Sequence, residues 1–108
     1  TASPPVQLFD EVDAAVGGEA AHRIGEALAA LAADRQVLVV THLAQVAAYA
    51  DYQMLVAKVD DGHSTAASVR PLDADERVVE LSRMLSGSPD SETARGHATE
   101  LLHAARGL

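Results

Sequence analysis

The sequence contains no cysteine and no tryptophan, and aromatic residues make up only 3% of it. The lack of cysteine excludes disulfide bonds, thiolate zinc ligands and a thiol nucleophile. The scarcity of aromatic rings leaves few surfaces on which nucleic-acid bases could stack. A hydrophobic core built by this chain must therefore consist mainly of Ala, Val and Leu.

Positive charge is also scarce, because 8 Lys and Arg stand against 16 Asp and Glu and give a formal net charge of −8. Binding to nucleic-acid phosphates needs clustered cations, so an independent nucleic-acid-binding domain is disfavoured. The arginines of the second half are dispersed and are expected on solvated or salt-bridged helix faces: Arg70, Arg77, Arg83, Arg95 and Arg106.

Long apolar runs are missing as well, since none approaches the roughly 20 residues that span a bilayer. The N-terminus also lacks the charged and apolar regions of a secretory signal. We therefore expect a cytoplasmic protein without membrane contact. The 108 residues suffice for one domain with one core.

The first half of the chain predicts a strand, a helix and a second strand. Residues 6–9 form an apolar run that predicts a buried strand, and the run 37–40 predicts a strand covered on both faces. Apolar residues at helical spacing predict a helix over 19–33. A strand–helix–strand order favours two adjacent parallel strands.

The second half predicts a hairpin and three helices. Residues 43–50 predict a short helix capped by Thr41, and 53–59 with 65–72 predict a hairpin. Two helices follow, one capped by Asp73 or Asp75 and ending near residue 85, the other over 91–105. The predicted fold class is therefore α/β, with two adjacent parallel strands, a hairpin and flanking helices.

Two adjacent carboxylates, Asp10 and Glu11, follow the first predicted strand. Folds of the α/β class bind ligands at the carboxyl ends of their strands. One carboxylate could hold Mg²⁺, mostly through water, while the other orients or deprotonates an attacking water, as nucleotide hydrolysis requires. Acidic residues also cap the element after a strand, so the pattern alone leaves both interpretations open.

Thr41 and His42 follow the second predicted strand. If the two strands are parallel neighbours, these side chains reach the same sheet edge as Asp10. A histidine there could donate a hydrogen bond to a γ-phosphate oxygen of a nucleotide. It could equally cap the next helix.

Taken together, the two strand ends resemble the second half of an ABC-type ATPase site. Nearly end to end, the chain resembles the C-terminal end of the ATPase head in the RecN family, bacterial DNA-repair ATPases related to the SMC proteins. The segments that carry the resemblance are FDEVD (9–13), VGGEAA (16–21), VLVVTHLAQVAAYA (37–50), ERVVELSRMLSG (76–87) and HATELL (97–102). The last two are the more specific, because generic ABC proteins lack them.

The resemblance implies a partial P-loop ABC-type ATPase fold that uses ATP and Mg²⁺. It assigns Asp10 to the Mg²⁺ ion, Glu11 to the role of catalytic base and His42 to contact with the γ-phosphate.

The same resemblance implies a homodimer of two ATPase heads. Asp13, Gly17 and Gly18 would bind nucleotide in a loop that faces the second head. The activity would serve the repair of DNA double-strand breaks, with DNA bound by the intact protein rather than mainly by this acidic segment.

The chain has neither a phosphate-binding G-x-x-x-x-G-K-[ST] motif nor a Leu-Ser-Gly-Gly signature. We therefore expect residues 1–108 to be the C-terminal fragment of an ATPase head, and to be inactive alone. The residues also permit a different class of protein, a non-catalytic α/β interaction or regulatory module in which the acidic strand end is only a cap.

Overall fold

The computed structural model describes residues 5–10 and 18–107. In chain order the elements are β1 (Val6–Asp10), α1 (Gly18–Leu31), β2 (Gln36–Val40), α2 (Ala44–Ala47), β3 (Met54–Asp60), β4 (Thr65–Pro71), α3 (Ala74–Ser86) and α4 (Glu92–Ala105). The predicted α/β class, with a parallel pair, a hairpin and flanking helices, is confirmed. No helix in the described ranges is long and apolar enough to cross a membrane.

Strands β1 and β2 pair in parallel, with Val6 opposite Gln36 and Asp10 opposite Val40. Their side chains alternate between a half-buried and an exposed face. Leu8 is 67% exposed and Val40 is 55% exposed, so the prediction of fully covered strands is wrong for this structure. The reason is that the sheet has only two strands within the described residues, and no described element covers its outer face.

Strands β3 and β4 form the predicted antiparallel hairpin, which is a separate two-stranded sheet among the described residues. The turn is built by Asp61, whose Oδ1 accepts hydrogen bonds from the amides of His63 and Ser64 at 2.9 Å each. Gly62 adopts a φ of 87°, which an L-residue with a side chain rarely takes. The hairpin therefore follows from local turn chemistry.

Helix α3 begins with a complete capping box. The Asp73 carboxylate accepts from the amide of Glu76 at 2.8 Å, and the Glu76 carboxylate accepts from the amide of Asp73 at 3.2 Å. Asp73 is therefore the N-cap, and Asp75 is not. The helix ends at Gly87 with a φ of 77°, a common helix stop.

The core lies between α2, α3 and α4. Its buried residues are mostly alanines, which allow helices to approach closely: Ala44, Ala47, Ala48, Leu81, Ala98 and Leu101. Leu81 and Ala98 are both fully buried. The small side chains expected from the composition thus form a helical core rather than a core over the sheet.

Helix α1 packs against α2 and, through a glycine, against the turn that follows α2. A Cβ atom on Gly25 would overlap the ring of Tyr49, so only glycine lets the ring lie against the helix backbone. The same ring meets His22 edge-on, with centroids 6.2 Å apart. Burial, followed by the nearby carboxylate of Glu26, raises the pKa of the Tyr49 phenol.

Candidate functional site

The carboxyl ends of β1 and β2 form one edge of the parallel sheet. Asp10 is the last residue of β1 and lies opposite Val40, the last residue of β2. Thr41 and His42 follow Val40 directly, so the two strand ends that carried the sequence prediction lie side by side. The carboxylate of Asp10 and the imidazole of His42 are both exposed at this edge.

The segment that carries His42 is short and bounded by regular structure on both sides. The Thr41 hydroxyl oxygen accepts a hydrogen bond from the amide of Leu43 at 3.0 Å, which closes a tight turn around His42. Leu43, not Thr41, is the N-cap residue of α2, and its side chain makes no capping hydrogen bond. The predicted cap by Thr41 is therefore wrong, because Thr41 lies two positions before the N-cap residue and its hydroxyl closes the preceding turn instead.

Three predicted site residues, Glu11, Asp13 and Gly17, lie outside the described residues. Gly18 is the first residue of α1 and is exposed. The positive φ angles of glycines in the described ranges belong to Gly62, Gly87 and Gly107. The roles assigned to these four residues stay predictions.

The donor set at the strand edge suits a weakly coordinated ion. Within residues 5–10 and 18–107, no three His, Asp or Glu side chains are grouped to enclose a metal ion. Magnesium, however, often uses one or two carboxylates and keeps several waters and phosphate oxygens as its other ligands. An exposed Asp10 at a strand end is compatible with that mode of binding and unlike a closed zinc site.

Arg77 is the described residue whose environment differs most from the sequence prediction. It was expected on a solvated or salt-bridged face, but it is only 6% exposed. Its guanidinium donates to the carbonyl oxygens of Ala47, Ala48 and Ala50, at 3.0, 3.3 and 2.6 Å. The error arises because these acceptors lie on a distant stretch of chain, where helical periodicity carries no signal. By contrast, Arg70 and Arg83 pair with glutamates as expected.

The parallel pair with acidic and Thr-His strand ends, the hairpin and the flanking helices are consistent with part of an ABC-type ATPase fold. No protein-family model matches the chain. Curated proteins do match it, under the name DNA repair protein RecN. The relative from Streptomyces coelicolor is 63% identical over 102 residues, 94% of this chain.

Two further RecN relatives agree with that match. Deinococcus radiodurans RecN is 55% identical over 102 residues, and Mycobacterium tuberculosis RecN is 51% identical over 105 residues, which cover 94% and 97% of this chain. The chain spans only 18% of the length of each of these three relatives. The chain belongs to the RecN family and corresponds to a segment of its members. The resemblance found in the sequence is confirmed.

Proposed function

We propose that the chain forms the C-terminal part of an ATP-hydrolysing head in a DNA-repair protein of the RecN type. One observation carries the proposal, the parallel register that sets Asp10 opposite Val40 and so brings Asp10 and His42 to one edge. The name DNA repair protein RecN, borne by relatives that match nearly the whole chain, supports it further. Hydrolysis is proposed for the full-length protein, because this segment has no phosphate-binding glycine loop.

Each strand end has its own proposed task. Asp10 holds the Mg²⁺ ion that accompanies ATP, mostly through water, and the ion when bound neutralises phosphate charge. Glu11 accepts the proton of the attacking water as a general base. His42 donates a hydrogen bond to a γ-phosphate oxygen from the neighbouring strand end.

The partner at this edge is proposed to be a second ATPase head, so that two copies form a homodimer around ATP. Asp13 and Gly17, together with Gly18 at the start of α1, then face the second head across the nucleotide. DNA is proposed to bind the intact protein mainly outside this segment, because a net charge of −8 repels phosphates.

The exposed apolar face of β1 and β2 has a proposed occupant in the same protein. Val6, Leu8, Leu38 and Val40 are each between 48% and 67% exposed, an unusual exposure for the apolar side chains of a sheet. The relatives are more than five times as long as this chain, so ample polypeptide exists to cover that face. We assign the cover of this face to the remainder of the head, and the strand that leads into its phosphate-binding loop would pair with the open edge of β2.

The central test is Glu11→Gln in the full-length protein. The substitution keeps the shape of the side chain and removes its basicity, so ATP turnover is expected to fall by about 10²- to 10⁴-fold. Binding of ATP should persist, because Asp10 and the phosphate-binding loop are unchanged. Steady-state ATPase assays and calorimetric binding measure the two quantities, with the exposed helix residue change Glu100→Gln as the matched control.

Two companion variants separate the other roles. Asp10→Asn is expected to weaken Mg²⁺-ATP binding together with turnover, because the metal ligand itself is changed. His42→Ala is expected to lower turnover while sparing most of the affinity, with His63→Ala in the hairpin turn as control. If Asp10 and Glu11 are only caps, the carboxylate variants will lower the melting temperature while turnover per folded molecule stays normal, and the catalytic assignment is then wrong.

A further inference from the structure

Arg77 is a buried cation whose guanidinium donates its hydrogen bonds to carbonyl and amide oxygens. Its Nη2 donates to the three carbonyl oxygens at positions 47, 48 and 50, and its Nε donates to Oε1 of Gln53 at 3.1 Å. Burial lowers the pKa of the guanidinium and the nearby charge of Arg106 acts in the same direction, while the carboxylate of Asp51 opposes both. A charge held in this way is costly to bury, so its hydrogen bonds must offset the loss of solvation.

The carbonyl groups that Arg77 binds belong to the C-terminal end of α2 and the turn after it. Carbonyls at a helix end lack partners within the helix and carry partial negative charge, which makes them natural acceptors for a guanidinium. Helix α2 has four residues, too few to hold its position by intrinsic helix stability. Its placement therefore depends on its neighbours, and Arg77 supplies the polar part of that support.

The backbone of α3 at Arg77 is firmly held. Arg77 follows directly after the capping box formed by Asp73 and Glu76, which fixes the first turn of α3. Further along the same helix, Leu81 is fully buried in the core that α3 shares with α2 and α4. The guanidinium thus joins a well-anchored helix to a short, weakly determined one.

Helix α2 begins two positions after His42. The hydrogen bond from the Leu43 amide to the Thr41 hydroxyl oxygen restricts the segment between His42 and the helix. We propose that Arg77 is a positioning residue for ATP hydrolysis: by holding the C-terminal end of α2, it sets the place of His42 beside Asp10 at the strand edge. The inference rests on the proposed function of His42. It makes α3, a helix with no residue at the strand edge, a determinant of turnover.

The test uses Arg77→Met in the full-length protein, with Arg83→Met on the same helix as the matched control. Misplacement of a catalytic group by about 1 Å can cost up to about 10²-fold, so kcat is expected to fall by about 10- to 100-fold. KM for ATP should change by less than about twofold, because most phosphate contacts come from elsewhere. The half-exposed Arg83 side chain pairs with Glu80 within α3, so its variant should keep the normal kcat.

A double-variant cycle distinguishes positioning from general stability. If Arg77 acts through His42, then Arg77→Met should cause no further loss of kcat in a His42→Ala background. A loss of the same size in both backgrounds would overturn the proposal. Normal turnover of the single variant His42→Ala would instead refute the proposed role of His42. The positioning role of Arg77, which acts through His42, would then be refuted as well.

Hydrogen exchange gives a readout that does not depend on ATP. Arg77→Met should speed amide exchange in residues 41–50 and leave residues 92–105 of α4 protected. Arg77→Lys, which keeps the charge but lacks the planar fork that reaches several carbonyls, should show a smaller change of the same kind. Unchanged exchange over 41–50 in both variants, or an equal rise throughout the chain, would contradict the positioning role.

Discussion

Two groups of elements differ sharply in the exposure of their apolar side chains. The helices α2, α3 and α4 are here called the helical side, and the strands of the two separate sheets, β1 to β4, are called the strand side. On the helical side, Leu81 and Ala98 are fully buried. On the strand side, Leu8 is 67% exposed and Val56 is 64% exposed. The same kinds of side chain therefore complete a core in one region and lie open in the other.

Polar groups show the same contrast. The helical side satisfies its helix ends by the Asp73 capping box, the Ser91 cap and the guanidinium of Arg77. On the strand side, the side-chain oxygen of Gln7 is buried and has no hydrogen-bond partner within the described part of the chain. Among the described residues, the helical side therefore encloses its apolar groups and satisfies its helix ends, whereas the strand side leaves apolar groups exposed and a buried oxygen without a partner.

The largest expected effect tests this contrast with equal truncations on the two sides. In the 108-residue chain, Leu81→Ala should lower the free energy of unfolding by about 2–5 kcal/mol, because it opens a cavity in the closed core. Leu8→Ala should change it by no more than about 0.5 kcal/mol, as is usual for exposed positions. Urea unfolding of both variants measures the difference.

The same two truncations, Leu81→Ala and Leu8→Ala, also test the difference between the two sides in the full-length protein. If the remainder of the head covers the strand side, Leu8→Ala should there cost about as much as other core truncations, 2 kcal/mol or more by the usual range of about 2–5 kcal/mol. A Leu8→Ala variant that is equally mild in both forms would show that the face stays uncovered. Equal large losses in the 108-residue chain would instead show that the strand side is already closed.

A smaller effect is expected at the contact between α1 and the helical side. Gly25→Ala should lower the free energy of unfolding by about 1–3 kcal/mol, because the added methyl group overlaps the Tyr49 ring. Gly96→Ala in α4 is the matched control, since a Cβ there meets nothing within 4 Å. That control should stabilise the chain by about 0.5–1 kcal/mol through helix propensity.

Thermal unfolding of the two glycine variants, with and without Tyr49→Ala, checks the mechanism. Removing the ring should relieve most of the loss caused by Gly25→Ala, because the overlap partner is gone. If Gly25→Ala and Gly96→Ala stabilise the protein alike, then α1 does not pack on α2 in this manner, and the helical side ends at α2.

Local chemistry explains why much of the fold could be predicted. The Asp73–Glu76 capping box, the stop at Gly87 and the turn at Asp61 are readable over a few residues, and the strand–helix–strand order predicts the parallel pair. The coverage expected for β1 and β2 is absent among the described residues, because the apolar character of a strand does not encode which element covers it. An apolar strand predicts only that something covers it.

The candidate site could be predicted only in part, for a related reason. Asp10 and His42 lie at one sheet edge because Asp10 ends β1 and His42 follows β2, and the sequence order predicts that these strands pair. Arg77 was missed because its acceptors lie about thirty positions away, and Gly25 because its neighbour Tyr49 belongs to another element. Contacts of that kind come from tertiary packing, which composition and periodicity do not encode.

The smallest expected effect concerns the ion pair that joins the two sides, between Arg70 on β4 and Glu76 on α3. The hydrogen bond from Arg70, followed by that from the Asp73 amide, lowers the pKa of the Glu76 carboxyl below its ordinary value. A carboxyl with a lowered folded-state pKa stabilises the fold above its unfolded pKa, and this contribution is lost as the pH falls through the folded pKa. In Arg70→Gln the pKa of Glu76 should therefore rise towards its ordinary value, and the acid limb of the stability curve should become less steep.

Carboxyl titration by NMR measures the shift, and Arg83→Gln, which breaks an ion pair within α3, should leave the Glu76 pKa unchanged. An unaltered Glu76 pKa in Arg70→Gln would show that the hairpin and α3 are joined by packing alone.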